Sequence, residues 1–203
     1  HANKVSAMFE KLRLGNLRSY IVINQRGKEG YAKGVNKGIA MARVYKPDIY
    51  IVANPDLNDI RISKKDLLDG QQKYDLWGYA FKQKEKTYYG GDVDRFRLSG
   101  ALKTEPGRLD FVSGSLIYFT KKTLTKVGPW NEKYHMYYED VEYCFRAREK
   151  GLRVGVVNKV AYEHLELSKT NKEKDYYLAK SRVRFFISHA GFGNWLHELV
   201  RLP

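Results

Sequence analysis

Two adjacent carboxylates, Glu139 and Asp140, stand at the start of a helical pattern that runs to Lys150. The turn Gly128-Pro129 and an aromatic, acidic loop from Trp130 to Tyr138 lead into them. A helix N-terminus carries about half a positive charge, which holds a carboxylate ionised and suits it to general-base work. The plainer reading is that first-turn acids simply favour the helix dipole. A third acid, Asp56, closes the run Asn54-Pro55-Asp56 directly after a predicted strand. Pro55 fixes one backbone dihedral, so the flanking polar side chains are held in a set relation. Asp56 can then ligate a divalent cation that bridges two phosphates, a task for hard oxygen ligands. A turn that binds nothing is the competing reading. His164 stands alone after the run Lys159 to Tyr162, and a lone histidine is more often structural than functional.

The elements that must position these groups alternate along the chain. Tyr20 to Asn24 reads as a buried strand, Gly27 to Gly30 as a loop, and Tyr31 to Tyr45 as a helix. The helix has an apolar face of Ala32, Val35, Ile39, Ala42 and Val44. Asp48 to Ala53 is the next strand, and strand, helix, strand at this spacing implies parallel pairing with a right-handed crossover. Ser63 starts a helix with Asp66 as its capping-box partner, and Leu76 to Phe81 is a further strand. Lys82 to Leu109 shows no period, as expected of a long functional or mobile loop. Asp110 to Phe119 reads as a strand broken by Ser113-Gly114-Ser115, and Thr120 is placed to cap a helix over Lys121 to Val127. Gly151 ends the helix begun at Glu139, a strand follows from Val154, and Tyr176 to Val200 is a helical tail.

Composition narrows the classes. At 203 residues the chain makes one ordinary domain, and 43% hydrophobic with 30% charged residues excludes a disordered chain. No apolar run approaches the roughly 18 residues that a membrane-spanning helix needs. The single cysteine, Cys144, allows no disulfide framework and fits a reducing cytoplasm; it reads as a small buried apolar residue. A net charge of +14 attracts polyanions: nucleic acid, anionic headgroups or phosphorylated substrates. Nothing in the chain matches a helix-turn-helix, zinc-finger or RNA-binding pattern, which weighs against nucleic acid.

Taken in order, these segments resemble the catalytic domain of family 2 glycosyltransferases, inverting enzymes of the GT-A fold. Glu29 to Ile39 is similar to the family's glycine-rich segment, which implies a donor nucleotide beside Gly30 and Asn36. Asn54-Pro55-Asp56 is similar to its Asp-x-Asp motif, with Asn54 at the weaker position and Asp56 at the metal-ligand position. Ser113, Gly114 and Ser115 resemble the segment lining the sugar pocket. Glu139-Asp140 resembles the acidic pair, which makes Asp140 the base and leaves Glu139 to bind the acceptor or orient the loop. His164 resembles the histidine that completes the metal or diphosphate site, so Mn²⁺ or Mg²⁺ is implied on Asp56 and His164. Arg182 resembles an arginine near the diphosphate. The aromatics Trp130, Tyr137 and Tyr138 suit stacking on an acceptor sugar, although core packing serves some of them equally well.

The resemblance implies a GT-A, Rossmann-like mixed sheet flanked by helices over residues 1–170, and a helical tail over 171–203. It leans toward the rhamnosyltransferase-like branch and toward bacterial surface polysaccharide synthesis. The implied partners are a nucleotide-sugar donor and a glycan or lipid-linked acceptor, with a homodimer open. The family's opening strand, helix and strand have no counterpart here, so the chain is expected to begin part-way into the fold, with Val5 to Leu14 resembling the helix that follows. The tail mixes Arg182 and Arg184 with Phe185, Phe186, Phe192, Trp195, Leu196, Leu199 and Val200. It either packs on the domain or a second subunit, or lies on an anionic membrane, at the inner face of the plasma membrane. The rival function is a non-catalytic basic module that binds anionic glycans or nucleic acid.

Overall fold

The computed structural model describes residues 2–12, 18, 22, 29–165 and 171–201. Seven helices are present among them: α1 Ala2–Lys11, α2 Tyr31–Ala42, α3 Lys64–Lys73, α4 Lys121–Val127, α5 Glu139–Glu149, α6 Lys172–His189 and α7 Phe192–Arg201. The strands are β1 Ile49–Ala53, β2 Leu57–Asn58, β3 Leu76–Gln83, β4 Lys86–Tyr88, β5 Gly91–Val93, β6 Gly100–Leu102, β7 Leu116–Thr120 and β8 Val154–His164. The main sheet runs β1-β7-β3-β8-β2, with β4 also on β3, and β5 and β6 form a separate hairpin.

The sheet is covered on both faces because its central strands carry large apolar side chains in both directions. Along β7, Ile117 and Phe119 enter one core while Leu116 and Tyr118 enter the other, the period of two that a pleated strand imposes. The first core takes Ala32, Val35 and Ile39 of α2, Leu124 of α4, Tyr143 and Cys144 of α5, and Phe185 of α6. The second takes Val5 and Phe9 of α1, Leu67 of α3, and Trp77, Tyr79 and Phe81 of β3.

Several boundaries agree with the sequence. Ser63 caps α3 in a complete capping box with Asp66, and the Thr120 hydroxyl accepts from Thr123 N–H at the start of α4. Burial works against the Asp66 charge, but Lys159 and Ser63 outweigh it and hold the carboxyl at about 2. Cys144 is fully buried, and burial pushes its thiol up to about 12, which leaves it inert.

Two expectations are corrected. Among the described residues β1 pairs antiparallel with β7, and parallel pairing is seen between β3 and β8. The expected strand Tyr20 to Asn24, and with it the parallel pairing expected with β1, lies outside the described residues save Val22, as does Gly27. Lys82 to Leu109 is no loop: β4 turns back on β3 through Lys84 at φ 54°, and β5 pairs with β6. Strands of three residues are too short to show a period. The tail is two helices, parted at Ala190-Gly191, where the Asn194 side chain accepts from Gly191 N–H.

Candidate active site

The ends of β1 and β8, the entry to β7 and the start of α5 converge. Asn54 N–H donates to the Ser115 carbonyl at 2.8 Å, which seats the Asn54-Pro55-Asp56 turn against the entry to β7. Beyond the turn, Leu57 of β2 pairs with His164 of β8, and Leu165 N–H donates to the Asp56 carbonyl at 2.9 Å. This antiparallel register brings two residues 108 positions apart into contact: Asp56 Oδ1 lies 3.3 Å from His164 Nε2. The other ring nitrogen, Nδ1, is 3.1 Å from Oε1 of Gln83. That amide oxygen only accepts, so Nδ1 carries the hydrogen and Nε2 faces Asp56. An imidazole nitrogen and a carboxylate oxygen facing one another are a donor pair that could hold a cation.

The acidic pair is built differently. Glu139 is buried at the first position of α5, whereas Asp140 remains partly open to solvent. Asp140 Oδ2 accepts from Gly114 N–H at 2.7 Å and its Oδ1 accepts from Val141 N–H at 2.8 Å. Burial, and then the Asp140 charge, push Glu139 up to about 8. Burial also raises Asp140, against the opposing pull of the Gly114 and Val141 N–H groups. Two carboxyls this close do not share two charges comfortably. The negative charge therefore resides on Asp140, where two donors converge, and Glu139 keeps its proton at neutral pH.

A carboxyl whose folded pKa is raised contributes stability below its unfolded value, and loses it as pH rises through the folded value. For Glu139 that window runs from its ordinary value of 4.5 to about 8. Glu139→Gln is expected to flatten the fall of melting temperature across this window and to be the more stable protein above it. Scanning calorimetry of both proteins at pH 5 and pH 9 checks this; a parallel pair of curves would contradict it.

Around the pair runs a chain of hydroxyls that joins the expected Ser113 and Ser115 to two tyrosines, Tyr31 and Tyr162, that the sequence reading did not single out. Tyr31 OH donates to the Gly114 carbonyl at 2.5 Å. Ser113 Oγ is 2.9 Å from Ser115 Oγ, which lies 2.8 Å from Tyr162 OH. Burial, with Glu139 and Asp140 next, raises the Tyr31 phenol well above its ordinary range, so it stays a donor. Tyr162 was findable, since it stands two residues before His164 on β8 and so shares its face. A Cβ on Gly114 would sit 3.2 Å from Asp140 Cβ, so glycine here allows the entry of β7 to close on the acid.

Other expected ligand contacts are occupied by the protein itself. Gly30 has φ 74°, and a Cβ there would lie 2.6 Å from the His135 carbonyl, which also accepts from Tyr31 N–H at 3.0 Å. Glycine is required by that approach, independently of any phosphate. The Asn36 amide accepts from Trp130 N–H and donates to the Trp130 carbonyl, both at 2.9 Å, and also reaches Glu132. It braces the loop before α5. Trp130 is 1% exposed, with its ring stacked on Tyr143 at 4.5 Å. Tyr138 is buried too, its hydroxyl accepting from Gly100 N–H at 2.9 Å and its ring against Phe185. Neither ring offers a free face to a sugar. Arg182 lies exposed on α6, beside Ser181, whose hydroxyl donates to the Met136 carbonyl at 2.9 Å.

Tyr137 and Tyr138 both sit at φ 66°, a left-handed conformation that costs bulky residues of order 1–3 kcal/mol each. The buried Tyr138 ring and its hydrogen bond hold that strain immediately before the acidic pair. Among the described residues no cluster of three or more His, Cys, Asp or Glu side chains is placed to bind a metal.

No known family profile matches the chain. It is 26% identical over 196 residues to the low-salt glycan biosynthesis hexosyltransferase Agl10 of Haloferax volcanii, a match that takes in 87% of this chain. The chain spans 62% of the length of that curated relative. In three dimensions it is similar to GalNAc-T7, solved with UDP, GalNAc and Mn²⁺, at TM-score 0.60 and 14% identity over 95% of this chain and 40% of that one. It is also similar to the protein A197 from STIV, at TM-score 0.52 and 16% identity over 76% of each chain. The mixed sheet flanked by helices is the GT-A fold.

Proposed function

We propose that the chain is the catalytic part of an inverting, metal-dependent glycosyltransferase that moves a hexose or deoxyhexose from a nucleotide-sugar to an acceptor hydroxyl. The observation that carries this reading is the convergence of two unlike pairs, Asp56–His164 and Glu139–Asp140, around Ser113-Gly114-Ser115. Similarity to a protein named as a hexosyltransferase of glycan biosynthesis supports it, as does the fold shared with a protein solved with UDP, GalNAc and Mn²⁺.

An acceptor hydroxyl is a poor nucleophile until a placed carboxylate takes its proton while the new C–O bond forms. Asp140 is that carboxylate: it is ionised, partly open to solvent and held at both oxygens. Attack on the anomeric carbon from the face opposite the diphosphate breaks the old C–O bond. The electron pair leaves with the nucleoside diphosphate, the proton goes to Asp140, and configuration inverts. Glu139, buried and protonated, adds no second charge to the site and lets Asp140 stay the only base of the pair. Ser113, partly exposed, is the hydroxyl for the sugar side, and the buried Ser115, expected to share that task, instead holds it from behind together with Tyr162. Asp56 and His164, a carboxylate beside an imidazole, would hold Mn²⁺ or Mg²⁺. When bound, such an ion neutralises charge developing on the leaving diphosphate.

Binding of a nucleoside diphosphate is expected to require the cation and to weaken by about tenfold or more in Asp56→Ala. Calorimetric titration of UDP, GDP and dTDP with Mn²⁺, and again with chelator, tests this. Equal affinity in both conditions removes the metal from the reading. We place the activity in surface glycan synthesis, with a glycan or lipid-linked acceptor; a panel of radiolabelled nucleotide-sugars, including a deoxyhexose donor, identifies the sugar.

A further inference from the structure

Helix α7 is mounted the wrong way round for a helix that packs on a soluble domain. Its polar side faces the protein: Asn194 donates to the carbonyls of Arg95 and Phe96 at 2.7 and 2.9 Å, and His197 stacks on the Phe96 ring at 5.2 Å. Its apolar residues, Phe192, Trp195, Leu196, Leu199 and Val200, recur at helical spacing along one stripe, and none of them is buried. Phe192 is 84% exposed, Leu199 65% and Val200 80%. The patch continues onto Phe96 and, through Trp195 edge-on to Phe186 at 5.0 Å, toward α6. There a groove of about 460 Å³ is lined by Tyr176, Ala179, Val183 and Ile187, with Lys180 and Arg184 at its edge.

A stripe of this kind must be covered. Charge decides by what. Helix α6 carries five basic and two acidic residues, and the whole chain is at +14. A second copy would bring the same positive face against this one, and repulsion opposes it. An anionic surface is attracted by the field that repels a copy. Exposed Phe192 and Trp195 on α7, with the lysines and arginines of α6, suit the headgroup boundary, where aromatic rings settle and basic side chains meet anionic phosphates. No described helix is long and apolar enough to cross a membrane.

We propose that the outward faces of α7 and α6 seat the protein on an anionic lipid surface. The inner side of α6 is packed on the loop that delivers the acidic pair: Tyr177 stacks on His135 at 4.4 Å, Ser181 holds Met136, and Phe185 meets Tyr138. Seating α6 therefore brings that loop close to the lipid, where a lipid-linked acceptor would present its hydroxyl. This last point rests on the transferase reading; the seating itself does not.

The test is co-flotation of the protein with phosphatidylcholine vesicles, with and without phosphatidylglycerol. Binding is expected to the anionic vesicles alone and to be lost at high salt. The triple change Phe192→Ser, Leu199→Ser, Val200→Ser is expected to cut the bound fraction about tenfold or more. It should leave the melting temperature unchanged, because these side chains lie in solvent. Equal binding to neutral vesicles overturns the anionic partner, and no binding to either overturns the proposal. A dimer in sedimentation that the triple change dissolves, without vesicle binding, assigns the stripe to a second copy instead. None of these readouts requires turnover, so their failure and the failure of the transferase reading are told apart.

Discussion

Asp140→Asn is expected to lower sugar transfer by about 10²–10⁴-fold, the range that a lost general base costs. The change removes the proton acceptor and nearly nothing else in volume. Asparagine offers one acceptor oxygen where Gly114 N–H and Val141 N–H now each find one, so one of these donors loses its partner. A modest fall in melting temperature accompanies the substitution for that reason. Nucleoside diphosphate affinity should stay near the parent value, because Asp56 and His164 are untouched. Turnover and diphosphate titration on the same preparation separate chemistry from binding. If Glu139→Gln is the inactive variant and Asp140→Asn turns over normally, the roles of the two acids are exchanged. A protein that only used its basic surface to bind anionic glycans or nucleic acid would be indifferent to Asp140.

Trp130→Ala is expected to cost about 3–5 kcal/mol of folding stability, the usual penalty for emptying a buried aromatic site. Its ring is stacked on Tyr143 at an interplanar angle of 10° and leans on Tyr31 at 5.8 Å, while Asn36 clamps its backbone on both sides. Trp130→Phe keeps an aromatic against Tyr143 and removes an indole N–H that has no hydrogen-bond partner among the described residues. It should cost far less, and the two variants together distinguish lost packing from lost chemistry. Urea unfolding gives the stability. An unchanged midpoint in Trp130→Ala, with only acceptor KM raised, would restore the sugar-stacking role.

Local rules made much of this molecule legible. Ser63 and Thr120 announced their helices because caps are read from single residues, and Glu139-Asp140 announced α5 because acids collect where N–H groups point outward. The seating of Asp56 beside His164 was reachable only through resemblance, since the register of β2 on β8 is a property of the whole sheet. Gly30 and Asn36 show the limit best. A glycine and an amide near a helix start look the same in sequence whether they wait for a phosphate or brace a neighbouring loop. Trp130 and Tyr138 failed as sugar platforms for a similar reason: aromatics clustered by an acidic pair suit stacking and core alike, and burial decides. The pairing of β1 with β7 was not legible because the two strands lie far apart in sequence and no local pattern joins them.

The anchoring of α6 has a consequence for where the molecule can be cut. Phe185 belongs to the same core as Tyr138 and Tyr143, and Ser181 and Tyr177 fasten the loop whose last two residues are held left-handed. Deleting the chain from Lys172 onward would therefore free the strained tyrosines to relax and let the acidic pair drift. Deleting only from Phe192 removes a helix with no buried residue. The smallest unit that keeps its shape at the acids ends near His189, inside what the sequence alone presents as one tail.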